Sequence, residues 1–273
     1  MDANLQLRIQ RYGWDKAADC YEDGWRDSLA LAQRKLLERA GPQPAERVLD
    51  IACGTGLVTF PLAEAVGPDG NVIASDLSQR MVDILAGEAS ARGYCWVESV
   101  RAGADAHRMV PDGSIDLVTC ALGLMYFPDT RAVMQEVLRV LRPGGRAVFA
   151  VWGDRRNCGW ADIFPIVDAR VKSEVCPLFF RLGTSGALAR EMGWAGFELE
   201  SEDCLSTHLP YDSAERALEA AFAGGPVALA YNRFDEQMRE EAHAEYLASI
   251  APFLGDDGYR IPGEFVVCSG RKS

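Results

Sequence analysis

Between Arg47 and Asp76 the chain writes a short apolar strand, a glycine turn, a helix and a second apolar strand, and that order leaves few folds open. Val48-Leu49-Asp50-Ile51 runs into Ala52-Cys53-Gly54-Thr55-Gly56, and Val72-Ile73-Ala74-Ser75-Asp76 follows. Two such strands joined by a helix pair in parallel. The Gly-x-Gly turn lets a ligand approach the backbone where a Cβ would stand in the way, and the helix beginning near Leu57 directs its free N–H groups toward that place. Asp76 closes the second strand, where a carboxylate accepts hydrogen bonds from two ribose hydroxyls. An adenosine-type ligand is the expectation.

The flanking residues narrow the choice. A dinucleotide fingerprint carries a third glycine two residues after the second, and here that position is Thr59. Asp50, at the end of the first strand, suits a cationic ammonium group better than an anionic pyrophosphate. A nicotinamide oxidoreductase therefore becomes the weaker alternative. The run Asp50-Ile51-Ala52-Cys53-Gly54-Thr55-Gly56 resembles motif I of class I S-adenosylmethionine-dependent methyltransferases, with Ala52 where that family usually has glycine. Further likeness lies in Gly103-Ala104-Asp105-Ala106, in Pro111-Asp112-Gly113-Ser114-Ile115-Asp116-Leu117-Val118, and in Val137-Leu138-Arg139-Val140-Leu141-Arg142-Pro143-Gly144-Gly145. It extends over residues 14–153 and is strongest to the group that includes ubiquinone and menaquinone C-methyltransferases.

The resemblance implies a doubly wound, mostly parallel seven-stranded α/β sheet and S-adenosylmethionine as cofactor, with S-adenosylhomocysteine as product. It implies Asp50, Ala52, Gly54, Gly56, Asp76, Leu77 and Ala121 around the cofactor, Asp105 accepting the adenine amino group, and the Ala106 N–H at the ring. Methyl transfer by in-line displacement to a small, planar or apolar metabolite is the expected reaction. Tyr21, Leu122, Tyr126 and Trp152 are the candidate acceptor contacts: the resemblance places Leu122 to Tyr126 beneath the transferred methyl, and the three aromatic rings can face a sulfonium charge or stack on a flat molecule. Tyr126 is the first choice for a polar group at the reacting centre. A cofactor-binding regulatory protein without turnover is the alternative from another class.

Composition bounds the partners. The 273 residues carry a formal net charge of −12, which offers no general footprint for a phosphate backbone and favours a small-molecule acceptor over nucleic acid. No apolar run reaches the roughly 18 residues of a membrane span, and Met1-Asp2-Ala3-Asn4 lacks the opening of a signal peptide, so a cytoplasmic protein is expected. Eight cysteines with no Cys-x-x-Cys pair and three dispersed histidines read as reduced thiols and structural imidazoles, with no metal site.

One methyltransferase domain is expected over 1–273. Residues 1–45 form N-terminal helices acting as a lid, 46–153 the cofactor core, 154–210 substrate-side helices and a sixth strand from 197, 211–262 a helical cap, and 263–273 the last strand and tail. Strands are expected at 47–51, 71–75, 96–100, 115–120 and 145–152, with helices at 57–65, 78–92, 130–141, 159–172 and 185–193.

Overall fold

A computed structural model describes residues 3–103, 110–172, 176 and 178–273. Its centre is an eight-stranded sheet in the order β3-β2-β1-β4-β5-β8-β6, with β7 pairing β8. The strands are β1 (Arg47–Ile51), β2 (Asn71–Asp76), β3 (Val97–Arg101), β4 (Ile115–Ala121), β5 (Leu141–Trp152), β6 (Glu198–Tyr211), β7 (Leu254–Gly255) and β8 (Gly258–Arg271). The first five pair in parallel, while β8 runs antiparallel to both β5 and β6. This is the doubly wound arrangement, and its order reverses between β1 and β4, where such sheets open a crevice at their carboxyl edge.

The apolar runs explain the middle of the sheet. Val48, Leu49 and Ile51 of β1, Leu117 and Val118 of β4, and all of Ala147–Trp152 in β5 are buried, as strands covered by helices on both faces must be. The helices are α1 (Ala3–Ala40), α2 (Thr59–Val66), α3 (Gln79–Ala91), α4 (Thr130–Val140), α5 (Ile163–Asp168), α6 (Ala187–Ala195), α7 (Ala214–Leu218), α8 (Ala228–Tyr231) and α9 (Glu236–Ile250). Ser78 caps α3 by accepting from the Met81 N–H, and Asp129 caps α4 by accepting from the Ala132 N–H.

Three expectations need correction. The N-terminal helices are one continuous helix of 38 residues, because no proline or uncapped break interrupts it before Gly41. Its carboxyl end is fixed by the buried Arg146, whose guanidinium donates to the Ala40 and Gly41 carbonyls and to both oxygens of Glu46. Only six residues of the expected 159–172 helix are α-helical. The last strand starts at Gly258, five residues before the expected 263, and the short β7 ahead of it makes the eighth strand. Pro262 does not interrupt this strand, because β8 pairs with β5 only from Phe265 onward and the missing proline N–H falls where that edge is unpaired. The helical cap therefore lies between Tyr211 and Leu254.

Candidate active site

The carboxyl ends of β1, β2 and β4 and the inner face of α1 enclose a cleft of about 750 Å³ including its mouth. Ile51, Ala52 and Gly54 line it from the first strand and turn, Asp76 and Leu77 from the second, and Ala121 and Leu122 from the fourth. Asp76 stands at the middle. Its Oδ2 accepts from the Gly54 N–H at 3.0 Å and its Oδ1 from the Ser78 N–H at 2.8 Å. Each carboxylate oxygen has a further acceptor direction, so two hydroxyls can still be held. Burial pushes its pKa up to about 6, against the pull of those N–H donors.

Asp50 was expected beside a ligand ammonium group, but the structure sets it one layer below the cleft. It is 1% exposed and absent from the lining, with Oδ1 accepting from the Thr119 hydroxyl at 2.8 Å and Oδ2 from the Thr59 hydroxyl at 2.7 Å. Thr59, standing where a third glycine would be, secures this carboxylate under the turn together with Thr119. Burial again pushes the pKa up to about 6, with the two hydroxyls opposing and the nearby Asp76 charge adding to the rise. Asp50 thus reaches the cleft through its field and not by contact.

The turn's glycines divide the work differently from expectation. Gly54 faces the cleft at φ +55°, and a Cβ there would only touch the Tyr21 ring at 3.8 Å, so backbone conformation is what demands glycine. Gly56 is not in the cleft lining. At φ +105° it turns toward Phe60, whose ring would lie 2.4 Å from an added Cβ. Its absent side chain serves the packing of α2.

Ala52 sits at φ 55°, in the left-handed region, and lines the cleft. The adjacent Gly123 accommodates it, since a Cβ on Gly123 would fall 2.3 Å from the Ala52 Cβ. An alanine in this conformation costs about 1 kcal/mol or more relative to glycine. Ala52→Gly is therefore expected to stabilise the protein by about 1 kcal/mol, raising its melting temperature by roughly 2–4 °C. A drop in the midpoint measured by calorimetry would show that the Ala52 methyl contributes more by packing than it costs in strain. Leu122, at φ 60°, is a second left-handed residue lining the cleft.

Behind the cleft lies a chamber of about 330 Å³ including its opening, lined by Trp14, Tyr21, Trp25, Leu29, Leu122, Tyr126, Trp152, Trp160, Phe179 and Pro226. All four candidate acceptor contacts, Tyr21, Leu122, Tyr126 and Trp152, lie in this lining. Trp14, Tyr21, Leu122 and Tyr126 also border the cleft, so the two spaces adjoin across them. The rings hold one another edge to face: Trp14 meets Tyr126 at 5.4 Å and Tyr21 at 5.8 Å, and Tyr126 meets Phe179 at 5.5 Å. Burial pushes the Tyr21 and Tyr126 phenols well above their ordinary pKa, so both keep their protons. Asp105 and Ala106 lie outside the described residues.

Sequence reasoning did not single out Trp14, Trp25, Leu29, Trp160, Phe179 or Pro226. For α1 a signal existed: Trp14, Tyr21, Trp25 and Leu29 follow at intervals of seven, four and four, one stripe of a helix. Trp160 and Phe179 come from irregular segments and carried no such period. The helix that bears the stripe is tied to α3 by Asp15, which accepts from the Ser78 hydroxyl at 2.6 Å, and by the Asp19–Arg80 ion pair.

A glycine turn at a strand-order reversal, a carboxylate with free acceptor positions beyond it and the sheet order just described make up the fold of class I methyltransferases. Residues 27–154 match the model of the ubiE/COQ5 methyltransferase family. Nocamycin O-methyltransferase of Saccharothrix syringae is 41% identical over 133 residues, covering 49% of this chain and 47% of the relative. Demethylmenaquinone methyltransferase of Lactococcus lactis subsp. lactis is 39% identical over 118 residues, covering 43% and 46%. The matches thus span about half the length of these relatives. A Bacillus halodurans protein proposed to be a methyltransferase has the same fold, with a TM-score of 0.63, 22% identity, and coverage of 88% of this chain and 98% of that one. No helix among the described residues is long and apolar enough to cross a membrane.

Proposed function

We propose that this chain transfers the methyl group of S-adenosylmethionine to a small, planar and largely apolar acceptor, releasing S-adenosylhomocysteine. The observation that carries this reading is the shared wall: Trp14, Tyr21, Leu122 and Tyr126 belong to both the cofactor cleft and the aromatic chamber. When bound, S-adenosylmethionine supplies a methyl group on a positively charged sulfur, ready for in-line displacement.

Asp76 takes the ribose hydroxyls on its two remaining acceptor positions, and Leu77 and Met81 offer apolar surface beside it. The paired negative charges of Asp76 and Asp50 favour a cationic ligand over a pyrophosphate. Tyr21 and Tyr126 orient an acceptor at the junction and, as protonated phenols, donate hydrogen bonds to it. Alignment and water exclusion of this kind can lower a barrier by about 7–11 kcal/mol in favourable cases. The acceptor itself is this chain's own matter. Six of the ten chamber residues, Trp14, Tyr21, Trp25, Trp160, Phe179 and Pro226, lie outside the segment shared with the ubiE/COQ5 family.

The test has two arms. Calorimetry is expected to find binding of S-adenosylmethionine and S-adenosylhomocysteine and none of NAD; tighter binding of NAD would remove the donor assignment. Mass spectrometry of S-adenosylhomocysteine formed with a panel of phenols, quinols, amines and thiols is expected to give turnover with flat aromatic acceptors. Cofactor binding without product across the whole panel would favour a regulatory protein that retained the fold and lost the reaction.

A further inference from the structure

We infer that Asp15 is a positioning residue for the methyl donor: it fastens α1, the roof of the cleft, to the residue that orients the ribose carboxylate, so that the roof closes on an occupied ribose site. The inference rests on the cleft being the methyl donor's site, as proposed above.

Two neighbouring faces of α1 do different things. Leu7, Gln10, Trp14 and Tyr21 line the cleft, at intervals of three, four and seven residues along the helix. Asp15 follows Trp14 and so stands about 100° further round, with Asp19 one turn beyond it on the same face. That second face grips the start of α3. Asp15 Oδ1 accepts from the Ser78 hydroxyl at 2.6 Å and from the Arg80 backbone N–H at 3.3 Å, and Asp19 Oδ1 accepts from the Arg80 guanidinium at 2.8 Å. The first turn of a helix offers free N–H groups and the positive end of its dipole, and a carboxylate reaching over from another helix answers both.

Of the two carboxylates, Asp15 makes the stronger contact. Ser78 is fully buried and its bond to Asp15 is short and charge-assisted. The Arg80 and Asp19 side chains are 51% and 66% exposed, and an ion pair so placed contributes little.

Ser78 joins this contact to the ribose site. Its N–H donates to Asp76 Oδ1 at 2.8 Å while its hydroxyl donates to Asp15, and Asp76 Oδ2 accepts from the Gly54 N–H at 3.0 Å. A continuous chain of hydrogen bonds therefore runs from the glycine turn through Asp76 and Ser78 to the roof. The Asp15 charge is also felt at Asp76: burial leads the rise in the Asp76 pKa, and Asp15 adds to it. Hydroxyls that fix Asp76 fix Ser78 as well, and with it the anchor of α1. By reciprocity, an anchored α1 holds the ligand more tightly.

The same helix carries this effect to the acceptor. Trp14, Tyr21 and Trp25 of α1 wall the aromatic chamber, and α1 packs closely on the cap, where a Cβ on Gly24 would lie 3.1 Å from the Ala220 Cα. Fastening α1 at Asp15 sets three chamber rings against the donor's place, so a loaded ribose site prepares the space for the acceptor.

The test follows S-adenosylhomocysteine on the full chain by hydrogen exchange and by stopped-flow dissociation, in the parent and in Asp15→Ala, Asp15→Asn and Asp19→Asn. In the parent, saturating ligand is expected to slow exchange of the amides between residues 10 and 22 as well as those at the glycine turn and around Asp76. In Asp15→Ala the ligand is expected to leave about tenfold faster, and the added protection of α1 to disappear while that of the turn remains. Asparagine at position 15 keeps an oxygen for the Ser78 hydroxyl and is expected to restore most of the α1 protection. Asp19→Asn, which loses only an exposed pair, is expected to stay within about twofold of the parent in release rate. Amides of α1 that ignore the ligand in the parent would overturn the inference. So would Asp15→Ala with α1 protection intact, even with faster release, because Asp15 would then do no more than cap α3. Failure of the parent to bind S-adenosylhomocysteine at all would strike the donor assignment and the inference with it, whereas binding without a response in α1 strikes the inference alone.

Discussion

Replacing Asp76 with alanine is expected to weaken S-adenosylmethionine binding by about 1.5–3 kcal/mol, or roughly 10- to 150-fold in Kd. The carboxylate fixes the glycine turn, through the Gly54 N–H, and keeps acceptor positions open toward a ribose. The fold should tolerate the loss, because the variant removes a buried charge along with its hydrogen bonds. Calorimetric titration checks the first effect and thermal melting without ligand the second. Unchanged affinity would mean the ribose is held elsewhere than at the end of β2.

Asp50→Asn should produce the opposite pattern in the free protein. The folded-state pKa of Asp50 is pushed up to about 6 from an ordinary 3.8. Between those values the folded state binds more protons than the unfolded one, so this residue's contribution falls as pH rises and the penalty is fully present above about 6. A rise of 6 − 3.8 = 2.2 corresponds to about 3 kcal/mol of destabilisation at neutral pH. The asparagine variant, with its amide still able to bond to the Thr59 and Thr119 hydroxyls, is expected to recover about 1–3 kcal/mol at pH 7.5 and nothing below pH 4. Affinity for the cationic cofactor should fall at the same time. Melting curves at pH 4, 5.5 and 7.5, each with and without cofactor, separate the two effects. A variant no more stable than the parent at pH 7.5 would show that hydrogen bonds to the hydroxyls outweigh the burial of the charge.

These two aspartates also mark how far the sequence could be read. The spacing of Asp50, Gly54, Gly56 and Asp76 located the cleft because strand, turn and helix are local, and each leaves its own period in the chain. What each residue does within the turn was less legible. Asp50 and Gly56 belong to the pattern but not to the cleft lining, since one is held down by Thr119 from a neighbouring strand and the other makes room for Phe60. A pairing across strands, such as Thr119 with Asp50, leaves no trace in spacing. The same reason hid the edge of the sheet: β8 runs through Pro262 because β5 has already ended beside it. The chamber was half visible, through Tyr21, Leu122, Tyr126 and Trp152. Its other aromatics meet only after α1, the segment following β5 and the cap have folded over one another.

The single long helix at the start of the chain has a consequence for how this protein can diverge. Loops that line a pocket can gain or lose residues and still fit. A continuous helix clamped at its carboxyl end by Arg146 and Glu46 cannot, because each inserted or deleted residue turns everything before it by about 100°. One deletion between Leu29 and Leu36 would carry Trp14, Tyr21, Trp25 and Leu29 off the chamber together, while β1, β2 and β4 stayed in place. New acceptors can therefore be reached by exchanging letters along that stripe, but not by changing its length.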